Sequence, residues 1–463
     1  MVPTPTEGHT PTEGHTPTEG HTPTEGRRPT EGRRPTGSHR PTGSHRPTGS
    51  HRPTDGPPLT YLDHAASAPV RDEVVEAMAP FAAEIFGHPS GHHRQARAAR
   101  KALEDARDQV AELLGAVPGE IVFTSGGTEA DDLAVLGVLA AAARRRPDRE
   151  TVVLSSAVEH AAVLEACRVA AARFPAVRHE RVGVDARGVL DLERLAEALS
   201  EEALSEEALP EEALSEGAPG RHVALVTVML ANNEVGTVQP LADVVDLVRR
   251  LAPGAVVHTD AVQAAAWLDV ARGAPGVDLV SVSAHKLGGP KGAGALVVRE
   301  GVELEPLLVG GGQERERRAG THDVAGAVGL ATALAAAARE REEETVRVGA
   351  LRDRLADGLL AAVPSVTEAA DRKSVLPGHC HLCFEAVDRE ELVVLLDEAG
   401  VCVSAGAACA SGALEPSHVL AAMGVPAAVA RGSIRFSLGY TTTPADVERA
   451  LAVVPEAVAR LRG

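Results

Sequence analysis

From Leu59 onward, short apolar runs of strand length alternate with Ala-rich stretches of helical period. This alternation constrains the fold most, because strands separated by helices build a parallel sheet with helices on its faces. Ile121–Thr124 reads as a strand, followed by the glycine turn Ser125-Gly126-Gly127 and a helix over about 128–143. Further strands are expected at 152–155, 223–230, 255–259, 279–283 and 293–298. An Ala-rich helix at 324–345 then leads into a smaller α+β region. Aromatic residues are only 2% of the chain, so Ala, Val and Leu must fill its core. At 463 residues the chain is long enough for two to three domains.

Two segments do not fit the α/β pattern. Residues 1–57 repeat Pro-Thr-Glu-Gly-His-Thr and drift to Pro-Thr-Gly-Ser-His-Arg. They hold almost nothing apolar to offset ordering entropy, so a disordered tail is expected, with its histidines incidental to the repeat. Ser-Glu-Glu-Ala-Leu repeats fill 200–215. A five-residue period drifts around a helix and leaves no apolar face, so an exposed acidic insertion at about 200–218 is expected.

The net charge of -19 argues against nucleic acid or an anionic membrane as a partner. Five cysteines without a repeated spacing do not make a disulfide framework. No apolar run spans a bilayer, and the N-terminal residues have no signal-peptide core. A cytoplasmic protein is the expectation.

Open α/β sheets bind ligands beyond the C-terminal ends of their strands. Polar groups stand there after five expected strands: Ser-Gly-Gly-Thr-Glu (125–129), Glu159-His160, Asn232-Asn233-Glu234, Asp260 with Gln263, and His285-Lys286. Singly, each has an ordinary reading: His160 as a half-buried imidazole, Asp260 or Thr128 as a helix cap, Lys286 as a solvated turn residue. Together they match the needs of a pyridoxal phosphate site. An amine holds the carbonyl cofactor as a Schiff base, and a carboxylate keeps the pyridine nitrogen protonated. Glycines at a helix start suit the phosphate. Cys409, on the small-residue loop Ser-Ala-Gly-Ala-Ala-Cys-Ala-Ser-Gly (404–412), adds a thiol.

These motifs resemble the NifS/IscS-like cysteine desulfurases, within the aminotransferase class V branch of pyridoxal phosphate enzymes. The resemblance runs from Tyr61-Leu62-Asp63 to about Ala459 and fails only in the tail and the acidic insertion. It is carried by Phe-Thr-Ser-Gly-Gly-Thr-Glu (123–129), Val-Glu-His (158–160), Ala-Asn-Asn-Glu-Val-Gly (231–236), His-Thr-Asp-Ala-Val-Gln (258–263) and Ser-Ala-His-Lys (283–286). Gly-Gly-Gly-Gln-Glu (310–314), Arg-Ala-Gly-Thr (318–321), the Cys409 loop running into Leu-Glu-Pro-Ser-His-Val-Leu (414–420), and Ser-Ile-Arg-Phe-Ser-Leu-Gly (433–439) continue it.

The resemblance implies a fold type I pyridoxal phosphate enzyme in three parts: the tail 1–57, a large cofactor-binding α/β domain at 74–312, and a small α+β domain from 58–73 and 313–463 carrying the cysteine loop. It implies that Lys286 carries the cofactor and moves protons, Asp260 pairs with the pyridinium, and Gln263 and Asn233 contact the phenolate side. His160 would stack on the ring and transfer protons. Gly127, Thr128, Ser283 and His285 would hold the phosphate, with Thr321 reaching the phosphate of the neighbouring subunit of a homodimer. Arg435, helped by Asn233, would bind the substrate carboxylate. Cys409 would take sulfur from L-cysteine as a persulfide, leaving alanine, and pass it to an iron–sulfur scaffold or tRNA-thiolation protein. A selenocysteine lyase or a class V aminotransferase is the alternative, since neither needs Cys409. An idle docking copy would tolerate loss of Lys286, which is present. His64, His88 and Ala96 depart from the family pattern and are expected at the site entrance. His379-Cys380-His381-Leu382-Cys383 contains metal-capable residues, but strand alternation puts Cys380 opposite the two histidines, so no metal is expected.

Overall fold

The computed structural model describes residues 59–207, 221–406 and 417–463. The tail and most of the acidic insertion lie outside them. Twelve strands occur among these residues: β1 (Thr60–Tyr61), β2 (Ile121–Thr124), β3 (Glu150–Ser156), β4 (Val177–Val182), β5 (Arg221–Thr227), β6 (Val256–Asp260), β7 (Leu279–Ser283), β8 (Gly294–Val298), β9 (Val366–Glu368), β10 (His379–Phe384), β11 (Val401–Cys402) and β12 (Ser433–Ser437). Seven of them form one sheet in the order β2-β8-β7-β6-β5-β3-β4. Pairings β3–β4, β3–β5, β5–β6 and β6–β7 are parallel, and β8 runs antiparallel to both β7 and β2. The C-terminal ends of β2, β3, β5, β6 and β7 therefore point to one edge.

All residues of β7 and β8 are buried, as expected for strands covered on both faces. The helix Gly127–Arg145 covers one face through Leu133, Val138 and Leu139. The helices Arg94–Leu113 and Leu241–Leu251 belong to the core on the other side, through Leu103, Val110, Val244 and Val248. β10 is the centre of a second sheet, β12-β10-β9, antiparallel throughout. A separate core there contains Leu382, Phe384, Ile434, Phe436 and Val454.

The six expected strands are all present. β4, with the sequence Val-Arg-His-Glu-Arg-Val, was not expected, because an edge strand exposes polar side chains. The Ala-rich helix runs from Val324 to Ala362 rather than stopping at 345. Its apolar pattern lapses over the charged stretch 339–344, but Arg and Glu are good helix formers and the helix continues. Leu330 and Leu334 pack into the core of the large sheet, whereas Leu351, Leu355 and Leu359 pack into that of the small one. The helix Leu192–Glu207 enters the acidic repeat, and 208–220 lie outside the described residues.

Candidate active site

The loops after those five strand ends line one cavity of about 350 Å3. Gly127 and Thr128 enter it from β2, His160 from β3, Asn233 from β5, Asp260 and Gln263 from β6, and Ser283, His285 and Lys286 from β7. Arg435 reaches it from the small sheet. Ten of the expected site residues are thus brought together.

The turn after β2 fits a phosphate. Gly126 has φ +149, open to glycine and strained for other residues. A Cβ on Gly127 would stand 2.8 Å from Val262 Cγ2. A helix of 19 residues begins at Gly127, so its unpaired N–H groups and positive dipole end face the cavity. The His285 imidazole is pushed down to about 4 by burial and by Lys286 and Lys291, so it is neutral near the neutral range.

Lys286 Nζ donates to Ala65 O at 2.5 Å and Ala66 O at 2.8 Å. Gln263 Nε2 also donates to Ala65 O, at 2.7 Å. The strand-to-loop segment after β1 therefore closes one wall. Asp260, 6% exposed, accepts from Val262 N at 2.8 Å. Burial raises its carboxyl, while His160 and Lys286 act in the opposite direction. His160 caps the helix Ala161–Arg173, its Nδ1 accepting from Ala162 N at 3.1 Å. In the neutral ring the proton is then on Nε2. A glycine cradle, an amine and a buried carboxylate in one cavity fit pyridoxal phosphate.

Arg435 is buried, with Nη1 donating to Asn233 O and Nη2 to Asp63 Oδ1, both at 2.9 Å. Its Nε has no partner among the described residues. Asp63 was missed as a site residue, since its partner is 372 residues away.

Three more carboxylates had no assigned role: Glu159 and Glu234, named only as polar groups at strand ends, and Asp131, not named at all. Asp131, on the helix after the glycine turn, lines the cavity, and burial together with the neighbouring Asp260 raises its carboxyl well above the usual range. Glu159 is fully buried, and desolvation drives its carboxyl well above the usual range. One oxygen accepts from Met229 N at 2.7 Å, and the other has no partner among the described residues. Glu234, also buried, accepts from Ser417 Oγ at 2.6 Å. An acidic residue beside His160 or Asn233 looks ordinary until its burial is known.

Thr321 is exposed and does not line this cavity. Cys409 lies outside the described residues. Gly406 and His418, on either side of that segment, both line the cavity. Burial pushes the Cys167 and Cys380 thiols up to about 12 and Cys383 up to about 11, and it raises Cys402 as well. None of these four is a thiolate at neutral pH.

None of the three residues expected at the entrance lines this cavity. His64 is buried, bonded to Thr441 Oγ1 at 2.7 Å and to Ser437 O at 3.2 Å, and lines an adjoining cavity that shares Ala65, Gln263 and Lys286 with the first. His88 is exposed, and Ala96 is fully buried in a helix. In β10, Cys380 faces the small core while His381 Nδ1 approaches Glu234 O at 3.1 Å, so the strand alternates as its spacing implies.

Residues 60–450 match the family model for aminotransferase class V. A cysteine desulfurase of Cereibacter sphaeroides is 45% identical over 403 residues, covering 87% of this chain and 96% of that protein. The solved structure of a NifS-like protein superposes with a TM-score of 0.75 at 34% identity, covering 87% of this chain and all of that one. A structure described as SspA in complex with cysteine matches with a TM-score of 0.66 at 31% identity, over 82% of this chain and 98% of that one.

Proposed function

The chain belongs to the aminotransferase class V family and to its cysteine desulfurases, and on that premise we propose how its own residues carry the reaction. The enzyme uses pyridoxal 5'-phosphate, which as an electron sink stabilises negative charge developing on substrate carbon. Lys286 holds the cofactor and moves protons at the substrate α-carbon. Asp260 keeps the pyridine nitrogen protonated. His160 would stack on the ring and transfer a proton through its Nε2. Gln263 and Asn233 would contact the phenolate side. Gly127, Thr128, Ser283 and His285 hold the phosphate.

Arg435 binds the L-cysteine carboxylate through its guanidinium fork, with Asn233 beside it. Asp63 and the Asn233 carbonyl fix the plane of that fork before substrate arrives. The Cys409 thiolate attacks the substrate sulfur. An S–S bond forms and the carbon–sulfur bond breaks. The electron pair stays on carbon, which takes a proton and leaves as alanine, and Cys409 keeps the sulfur as a persulfide.

One observation carries this reading: Lys286, Asp260 and the glycine turn share a cavity with both flanks of the Cys409 segment. Three extended residues span at most about 11 Å, so Cys409 is tethered within reach of a cavity that Gly406 lines. The raised thiols of the four described cysteines support the same residue.

A homodimer fits the exposed Thr321, which would complete the neighbour's phosphate site. Phe86 at 72% exposed and Val309 at 81% offer apolar surface for such contact. The large domain is taken as 74–312, and 58–73 with 313–463 as the small one. A protein acceptor, an iron–sulfur scaffold or a tRNA-thiolation enzyme, takes the sulfur in the cytoplasm. No helix among the described residues is long and apolar enough to cross a membrane. The selenocysteine lyase and aminotransferase alternatives are not favoured, because the similar proteins carry the desulfurase and NifS-like names.

The test is a visible spectrum of the purified protein, then L-cysteine with a reductant and assays for sulfide and alanine. Equal sulfide and alanine are expected. Cys409→Ser should keep the cofactor's colour and lose both products. An active Cys409→Ser variant would refute the nucleophile.

A further inference from the structure

Glu234 stands in the Ala-Asn-Asn-Glu-Val-Gly motif, yet the roles proposed above leave it unused. It follows β5 in a tight turn, where Asn232 Oδ1 accepts from both Glu234 N and Val235 N at 2.9 Å. Asn232 Nδ2 in turn donates to Val158 O at 2.9 Å. The turn is therefore tied to the loop that carries His160, and the Asn233 carbonyl in it receives Arg435.

The Glu234 carboxylate points away from these backbone contacts, toward the two flanks of the segment 407–416. On one flank, Ser417 Oγ donates to Glu234 Oε2 at 2.6 Å. The same hydroxyl accepts from Leu420 N at 3.2 Å and caps the helix His418–Ala422. His418, the next residue, donates from Nε2 to Glu159 O at 2.9 Å. On the other flank, Gly406 has φ +86, and a Cβ there would lie 3.3 Å from Glu234 Oε2. Ser404, two residues earlier, pairs with Arg435 through Arg435 N to Ser404 O at 2.8 Å and Ser404 N to Arg435 O at 3.2 Å. The flanks of the segment are thus bonded to the turn and the strand that hold the substrate-binding guanidinium.

We propose that Glu234 is a positioning residue for the sulfur transfer: by clasping Ser417 it fixes the C-terminal root of the segment that bears Cys409. The inference rests on Cys409 being the nucleophile. Its physical basis is tethering. A thiol on a ten-residue connection attacks at a rate set by its local concentration at the substrate sulfur, and that concentration depends on where the two roots are held. Glu234 lines the same cavity, and its proposed action on the transfer runs through Ser417. A hydrogen bond to a carboxylate in a buried setting is strong enough to hold one root against thermal displacement.

Two variants separate the clasp from the helix cap. Ser417→Thr keeps both the capping oxygen and the donor. Ser417→Asp keeps the capping oxygen but removes the donor and sets a like charge against Glu234. In the full chain loaded with cofactor, Ser417→Asp should slow single-turnover alanine formation by about tenfold, the loss of one charge-assisted hydrogen bond. KM for L-cysteine and the cofactor spectrum should stay as in the parent. Ser417→Thr should retain at least half of the rate. Parent-like turnover in Ser417→Asp, with Cys409→Ser inactive, overturns the clasp and leaves the nucleophile standing. A Ser417→Asp variant that loses the cofactor colour also overturns it, since the clasp would then support the cavity and not the thiol. Alanine formation by Cys409→Ser overturns the nucleophile and the clasp with it.

Discussion

At the scale of single residues, burial decides which groups are charged. His258 and His379 are pushed down to about 3 by desolvation, so both are neutral at neutral pH, and burial with the neighbouring Asp260 raises the Asp131 carboxyl well above its usual range. A carboxyl whose pKa rises on folding contributes stability at low pH and loses it as pH rises through the raised value. Asp131→Asn copies the protonated form. Its thermal midpoint at pH 8 should equal or exceed that of the parent; a fall of several degrees would show that Asp131 is ionised. Arg435→Lys keeps a charge but loses the planar fork that presents separate N–H donors to Asn233 O, Asp63 and a carboxylate. KM for L-cysteine should rise by about tenfold or more with the cofactor spectrum unchanged, since each lost charge-assisted bond is worth ~1.5–3 kcal/mol. Steady-state kinetics decide it.

At the scale of elements, the segment after Gly312 shows how a distant pair holds an unfavourable backbone. Glu314, Arg315 and Glu316 have φ of 46°, 56° and 66°, left-handed values that are unfavourable for residues with a Cβ. Arg107, from the helix Arg94–Leu113, grips Glu314 through two bonds of 2.8 Å, and Phe123 N adds a third at 3.0 Å. His322 Nε2 lies 3.1 Å from the same carboxylate. Arg107 and His322 hold Glu314 at about 2 against the opposing effect of burial. A depressed carboxyl contributes stability above its unfolded pKa and loses it as pH falls through the folded one. Glu314 with its partners should therefore contribute about 3 kcal/mol at neutral pH, lost between roughly pH 4.5 and 2. Denaturant melts across that range should show the slope in the parent and a flatter one in Glu314→Gln. Arg107→Met leaves a buried carboxylate unpaired and should cost about 3–5 kcal/mol.

At the scale of the whole molecule, the helix Val324–Ala362 and Trp267 connect two cores. The helix contributes to both, and Trp267 packs against both. The cavity needs both sheets, because Lys286 comes from the large one and Arg435 from the small one. A second shared feature follows if Thr321 completes a neighbour's site. Lys286→Ala and Thr321→Ala chains, each impaired alone, should regain activity when mixed under exchange. A mixed dimer contains one whole site, so recovery should approach about one quarter of the parent rate. No recovery, with exchange confirmed by light scattering of tagged chains, would place Thr321 in its own chain's chemistry.

Local spacing determined much about this protein. Six strands, the glycine turn at 125–127 and the order of polar groups at the strand ends follow from periodicity and turn chemistry, which depend on neighbours a few residues apart. Lys286, Asp260 and His160 were legible because strand ends gather on one edge of a parallel sheet. Only the tertiary structure decided what depends on burial and on partners far along the chain. β4 is an edge strand without an apolar pattern, and the helix past 345 is set by packing on a second core. The Asp131 and Glu159 carboxyls are raised only because the fold removes their water. Asp63 meets Arg435, Glu314 meets Arg107 and Ser417 meets Glu234 across 372, 207 and 183 residues, and no local pattern encodes which distant partner a carboxylate will find.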